Sequence, residues 1–219
     1  MNRRRVADAA LAAVAGAGTV LCALVAASGT VGAPERRVFT WVNSTSDAWR
    51  WPLWGFQLLG VLGMPLLVAA GALALRRWRL AAAIVLLVPL KLLVERDLLK
   101  EVVHRERPGT TIPGAVLRDV PAAGDSFPSG HAIVAFGVVA LLLPYLSRRW
   151  QVVVVALAVV NSVARVYLGG HAPLDVVGGA AAGLAVGALL NLLVGVPGRY
   201  RRRMPGQRPS PRPIGPGSS

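Results

Sequence analysis

Two histidines, each on a glycine-containing turn ahead of an apolar run, are the side chains of this sequence best suited to chemistry. His131 ends the turn Pro128-Ser129-Gly130-His131, and His171 lies within Gly169-Gly170-His171-Ala172-Pro173-Leu174-Asp175. Six residues separate Lys100 from Arg107-Pro108, five separate Arg165 from His171, and three separate His171 from Asp175. Two imidazoles, three fixed cations and one carboxylate, in a chain with 16% charged residues, are the parts needed to bind a phosphate ester and cleave it. Pro173 suits the first turn of a helix, and a spacing of four then brings the Asp175 carboxylate within reach of the His171 ring. An imidazole held at one nitrogen has the other free to attack phosphorus. His171 is therefore the expected nucleophile and Asp175 its orienter, with a phosphohistidine later hydrolysed by water. Amides at the helix start after Ser129 point at an anion, Gly130 allows close backbone approach, and Ser129 can add its hydroxyl. His131 is then placed to protonate the departing oxygen. Lys100, Arg107 and Arg165 offset the charge that spreads over the phosphoryl oxygens.

Each residue also has a plainer reading. A lone histidine at a helix start is commonly a cap or packing residue. Arg107-Pro108 can simply end a helix, Gly169-Gly170 can be only a turn, and Arg165 can snorkel, although its place after an apolar run favours an inward role. Asp125 and Ser126 are expected to serve the turn, and His104 a surface loop. A zinc site from His131, His171 and Asp175 lacks thiolates and His-rich spacing, and the cations crowd it.

The elements that must position these residues are apolar. With 54% hydrophobic residues and a mean hydropathy of +0.56, in long runs, the chain belongs to the membrane class. A span needs about 20 apolar residues, and six such runs occur, near 6–32, 52–75, 80–99, 131–146, 150–168 and 172–194. The expected fold is all-α, a polytopic integral membrane helical bundle of six transmembrane helices. Its parts are a two-span region over 1–78, a core with all three motifs over 79–197, and a disordered basic tail over 198–219. The tail is a candidate for anionic headgroups, with a solvated tail as the simpler reading. The first run follows Arg3, Arg4 and Arg5 and exceeds a signal core of about 7–15 residues, so an uncleaved anchor is favoured over a cleaved signal. The second run tolerates Pro65. The third carries Lys91, Glu95, Arg96, Asp97 and Lys100; Lys91 and Glu95 can pair on one face, and charges so placed should face the bundle interior or a water-filled cavity. Trp41, Trp49, Trp51 and Trp54 suit a headgroup belt. Residues 101–127 form an irregular loop.

The net charge of +14 is almost wholly Arg, since Lys91 and Lys100 are the only lysines. These positives sit in clusters between apolar runs, which suits membrane orientation better than nucleic acid. With six spans the amino end, the 76–79 turn, the 148–149 turn and the carboxyl tail share one side, predicted to be cytoplasmic. Both motif-bearing segments then share the extracytoplasmic side. Cys22, the sole cysteine, excludes an intrachain disulfide and a CxxC motif.

The ordered set resembles the type 2 phosphatidic acid phosphatase and haloperoxidase superfamily, in its membrane lipid phosphatase branch. The resemblance rests on Lys100 with Arg107-Pro108, on Pro128 to His131, and on Arg165 with His171 and Asp175. It implies a six-span helical fold, hydrolysis of lipid phosphates without metal or cofactor, and the residue roles given above. One position departs: the family's serine before the third-motif arginine is Ala164 here, which removes one phosphate hydrogen bond. The leading substrate is a polyprenyl diphosphate carrier, with phosphatidic acid, phosphatidylglycerol phosphate and other lipid phosphates open. A non-hydrolytic lipid-phosphate binder or transporter is the alternative, against which both histidines and Asp175 count. A vanadate-dependent haloperoxidase shares the signature, but long spans count against it. Lipid chain and oligomeric state are not legible.

Overall fold

In lipid a backbone must satisfy its own hydrogen bonds, and long runs of Ala, Val, Leu and Gly do so as helices. The computed structural model describes residues 3–196, and among these there are helices and no strands. The basic tail expected over 198–219 lies outside the described residues. In chain order the helices are α1 (Arg3–Ala26), α2 (Ala33–Asn43), α3 (Arg50–Gln57), α4 (Gly63–Ala74) and α5 (Trp78–Leu92). They continue with α6 (Lys100–Val102), α7 (Pro108–Thr111), α8 (Gly130–Leu142), α9 (Arg148–Tyr167) and α10 (Pro173–Val194). A π-helical segment, Leu93–Leu99, joins α5 to α6.

Among the described residues three helices are long and apolar enough to cross a membrane: Arg5–Ala26, Arg148–Tyr167 and Pro173–Val194. A bent pair, Asp47–Gly60 with Gly63–Ala74, makes a fourth if it counts as one span. The run near 52–75, expected as one span, is therefore broken, with a bend of 63°. Gly60 and Gly63 are weak helix formers, and Asn161 Nδ2 from α9 donates to the carbonyls of Phe56 at 3.1 Å and Gln57 at 3.0 Å. That amide adds a side-chain donor to two carbonyl groups beside the break. At the bend a Cβ on residue 60 would lie 2.6 Å from the His131 Cβ. Glycine is what allows the bend to seat against the start of α8.

The bundle is built around α10, which packs on α1, α5 and α8. Gly179, Gly183 and Gly187 repeat every four residues, the small-residue spacing that lets membrane helices approach closely. A Cβ on residue 187 would fall 2.6 Å from Ala140 Cβ and 2.8 Å from the Gly137 carbonyl oxygen. Nearby, Leu80, Ile84, Leu87, Leu141 and Leu190 form a buried apolar cluster. Trp41, Trp49 and Trp51 are exposed. The loop after α7 is irregular, as expected, and hydrogen bonds tie it to α2 and α9. Asn43 Nδ2 donates to Val116 and Tyr167 carbonyls, both at 2.8 Å, and Arg118 Nη1 donates to the Asn43 carbonyl at 3.0 Å and the Tyr167 carbonyl at 2.8 Å. This chain order brings the end of α5, the start of α8, the end of α9 and the start of α10 to one end of the bundle.

Candidate active site

His171 sits on the turn between α9 and α10. Gly169, with φ +82°, reverses the chain there; a Cβ at that position would lie 2.5 Å from the Val116 carbonyl oxygen. The next residue is tied in place as well, since Arg107 Nη1 donates to the Gly170 carbonyl at 2.8 Å. His171 is buried, and its Nδ1 lies 2.9 Å from the carbonyl oxygen of Ser126. A carbonyl only accepts, so Nδ1 carries the proton and the lone pair is left on Nε2. Burial, followed by the nearby charges of Arg165 and Arg107, holds the His171 pKa well below 6.5. The ring is therefore neutral at pH 7.

The direct hold of Asp175 on His171, expected from their spacing, is not formed. Asp175 Oδ2 lies 3.9 Å from Nδ1. The carboxylate is committed elsewhere: Oδ2 accepts from the Ala172 amide at 2.7 Å and from the Ser126 hydroxyl, and Oδ1 accepts from Arg105 Nη1 at 2.9 Å. The bond to Ala172 is the helix-start arrangement in which an acidic residue in the first turn reaches back to the capping amide. Asp175 thus caps α10 and anchors Ser126, and the Ser126 carbonyl holds the ring. Ser126, expected only to serve a turn, is the link between carboxylate and imidazole.

Behind this lies a side chain that motif spacing does not single out. Arg105 is fully buried, bridging Asp175 and Glu35. Glu35 Oε1 in turn accepts from the Leu174 amide at 2.8 Å, so α2 also secures the first turn of α10. Ser129 differs from expectation too. Its amide donates to the Asp175 carbonyl at 2.9 Å, but its hydroxyl is buried and has no hydrogen-bond partner. It does not line the cavity in front of the histidines.

That cavity, about 510 Å³, is lined by His131, His171, Lys100, Arg107, Arg165 and Gly130. Residues from Lys100 to His171 in sequence thus face one space. Gln57, Lys91 and Glu95 line it as well. Gln57 Oε1 accepts from Arg165 Nη1, fixing the guanidinium from the broken α3–α4 pair. Lys91 and Glu95 form the expected ion pair, and Glu95 Oε1 also accepts from Lys100 Nζ at 2.9 Å. Gln57 was detectable in principle as the only amide in the 52–75 apolar run. Asp175 lies behind the cavity wall rather than on it, Ala164 is buried, and His104 is exposed on the loop. Among the described residues no three His, Cys, Asp or Glu side chains are grouped to hold a metal ion.

A second cavity, about 580 Å³, lies at the opposite helix ends, among Arg76, Arg77, Arg79 and Tyr145. It has cations but no histidine or carboxylate in its lining.

The PAP2 superfamily matches residues 76–198, more than half of the chain and all three motifs. The chain belongs to the PAP2 superfamily. This PAP2 protein is 36% identical over 107 residues to the lipid A 1-phosphatase of Rhizobium johnstonii, a match covering 46% of this chain and 41% of that protein. It is 47% identical over 64 residues to YbjG of Escherichia coli K12, a protein provisionally named an undecaprenyl-diphosphatase, covering 29% of this chain and 32% of that one. The matches thus span less than half the length of these curated relatives. Among solved structures, Aquifex aeolicus LpxE superposes with a TM-score of 0.61 at 23% identity, covering 70% of this chain and 92% of the other. The PAP2-type phosphatidylglycerolphosphate phosphatase of Bacillus subtilis gives 0.65 at 22% identity, covering 84% and 97%. The family resemblance drawn from the motifs is correct, and the fold is that of membrane PAP2 proteins.

Proposed function

We propose that this PAP2 protein is a metal-independent membrane phosphatase that hydrolyses a lipid phosphate or diphosphate through a phosphohistidine. The carrying observation is that both imidazoles and the three motif cations line a single cavity. Nε2 of His171 attacks phosphorus, forming a P–N bond as the bond to the leaving oxygen breaks. His131 gives its proton to that oxygen. Water then attacks the phosphohistidine, passing a proton to His131, and the P–N bond breaks to release phosphate. Lys100, Arg107 and Arg165 stabilise the phosphoryl oxygens throughout, and Gly130 lets them approach the start of α8. Asp175 acts on His171 through Ser126, and Ser129 contributes its backbone.

The same reading places the protein in the cytoplasmic membrane with six spans, both termini cytoplasmic and the cavity extracytoplasmic. Residues 79–197 form the catalytic core behind a two-span region over 1–78. A polyprenyl diphosphate carrier is the leading substrate, a choice supported by the likeness to YbjG; lipid A and phosphatidylglycerolphosphate are the competitors suggested by the other relatives.

Phosphate release from purified polyprenyl diphosphate, phosphatidylglycerolphosphate, phosphatidic acid and lipid A in detergent, with chelator present, tests this. The wild type should turn over at least one of them and trap label on His171, while His171→Ala releases none. A folded wild type inert on all four, or a His171→Ala variant that retains turnover, refutes it.

A further inference from the structure

Lys91, Glu95 and Lys100 share one face although their spacings are four and five. An α-helical turn aligns residues four apart, and the π-helical segment Leu93–Leu99 aligns residues five apart. One carboxylate therefore meets two ammonium groups: Oε1 accepts from Lys100 Nζ at 2.9 Å and Oε2 pairs with Lys91. The carboxylate also presses on the first residue of α8, where a Cβ on residue 130 would lie 2.6 Å and 2.7 Å from its two oxygens. An oxyanion between two ammonium groups at the start of a helix has the surroundings a phosphoryl group seeks.

Resting on the phosphatase reading of the cavity, we propose that Glu95 stands in for a phosphoryl group and competes with it for Lys91, Lys100 and the start of α8. Lys91 is then a further phosphate-binding cation. Lys91, Lys100, Arg107 and Arg165 all line the cavity, and four cations around a phosphate would retain the product as firmly as they attract the substrate. Binding energy spent equally on ground and transition states does not speed turnover. A carboxylate that returns to the two lysines offsets this by expelling inorganic phosphate. Asp119, the other carboxylate on the cavity wall, is paired with Arg50 at 2.7 Å, which leaves Glu95 as the competitor.

The test is the affinity of the purified full chain in detergent for inorganic phosphate, measured by calorimetry and needing no turnover. Glu95→Gln should bind phosphate about tenfold more tightly, the change given by one charge-assisted hydrogen bond, and kcat should fall as phosphate release slows. Lys91→Met should bind it more weakly. Because Glu95→Gln leaves Lys91 buried without its partner, Lys91→Met/Glu95→Gln is compared with Lys91→Met as a second pair, and it too should bind more tightly. Damage to the site would weaken phosphate binding, never tighten it. Unchanged or weaker binding in both comparisons overturns the proposal. A wild type that binds phosphate yet hydrolyses no lipid phosphate instead defeats the phosphatase reading alone.

Discussion

Arg105→Met should unfold the protein early and slow it without emptying the substrate site. The Arg105 and Asp175 side chains are both 0% exposed, with nitrogen and oxygen 2.9 Å apart. At an effective dielectric near 20 that separation gives a raw attraction of about 6 kcal/mol. Part of it offsets the desolvation of the two charges, and removing one partner of such a pair costs about 3–5 kcal/mol because the other charge is stranded. Glu35 loses its cation in the same variant but retains the Leu174 amide. With about 2–4 °C per kcal/mol for a chain of this size, thermal unfolding in detergent should come roughly 6–20 °C early. Asp175→Asn in the same background should recover part of that loss, since the stranded charge is then gone. Kinetically, a displaced Asp175 frees Ser126, and with it the carbonyl that holds the His171 ring, so kcat should fall. Among the described residues the Arg105 side chain bonds to Asp175, Glu35 and Thr30 rather than to Lys100, Arg107 or Arg165, so KM should stay within about twofold. An Arg105→Met variant that unfolds within about 1 °C of wild type with full kcat would show that the Arg105–Asp175 pair does not hold the nucleophile.

The pH profile offers a second check. Burial, then Arg165 and Arg107, hold His171 well below pKa 6.5, and in the proposed mechanism the attacking form is the neutral ring. Activity should therefore persist as pH falls through 6.5, with loss from His171 protonation only further down. Removing a cation favours the protonated ring, so Arg107→Gln should move the acid limb of kcat/KM to higher pH than wild type on the same substrate; a fixed or lowered limb contradicts this. The glycine row is tested by Gly183→Ala, whose Cβ would lie 2.9 Å from Gly137 N and 3.0 Å from Ile133 Cα. Backbone cannot yield there, so overpacking should cost about 1–3 kcal/mol. Gly16→Ala, with nothing within 4 Å, should unfold no earlier than wild type.

The motif residues were legible because phosphoryl chemistry demands particular side chains, and few charges elsewhere compete for attention. The apolar runs likewise announced helices. What supports the site was harder to see. Arg105 looks like one more loop charge beside Arg107, and its partners Glu35 and Asp175 are each 70 residues away. Spacing suggested a direct Asp175–His171 contact, but spacing does not register that the carboxylate is already claimed by the helix start and by Ser126. The bend after α3 was concealed by the tolerance of membrane helices for proline and glycine. Its signals are the paired glycines at 60 and 63 and two polar residues in apolar runs, Gln57 and Asn161. The four-residue glycine repeat in α10 was equally open to view, because close helix approach in lipid requires small residues.

The family match divides the wall of the cavity into two parts. The PAP2 match begins at residue 76 and contains every motif side chain, yet part of the cavity wall precedes it: Gln57, Gly60, Val61 and Leu62 come from the broken α3–α4 pair. Gln57 fixes Arg165, and Gly60 seats the bend on His131, so this wall reaches two motif residues directly. Glu35 on α2 acts on a third, since it braces the first turn of α10 and the arginine behind Asp175. In the mechanism proposed above, the phosphoryl group is handled by cations and imidazoles that all lie within the family match. The apolar part of the cavity wall is divided between Gly60, Val61 and Leu62, which precede the family match, and Val120 and Pro121, which lie within it. On the phosphatase reading, exchanging the α3–α4 bend should therefore alter substrate preference while leaving His171 and the motif cations in place.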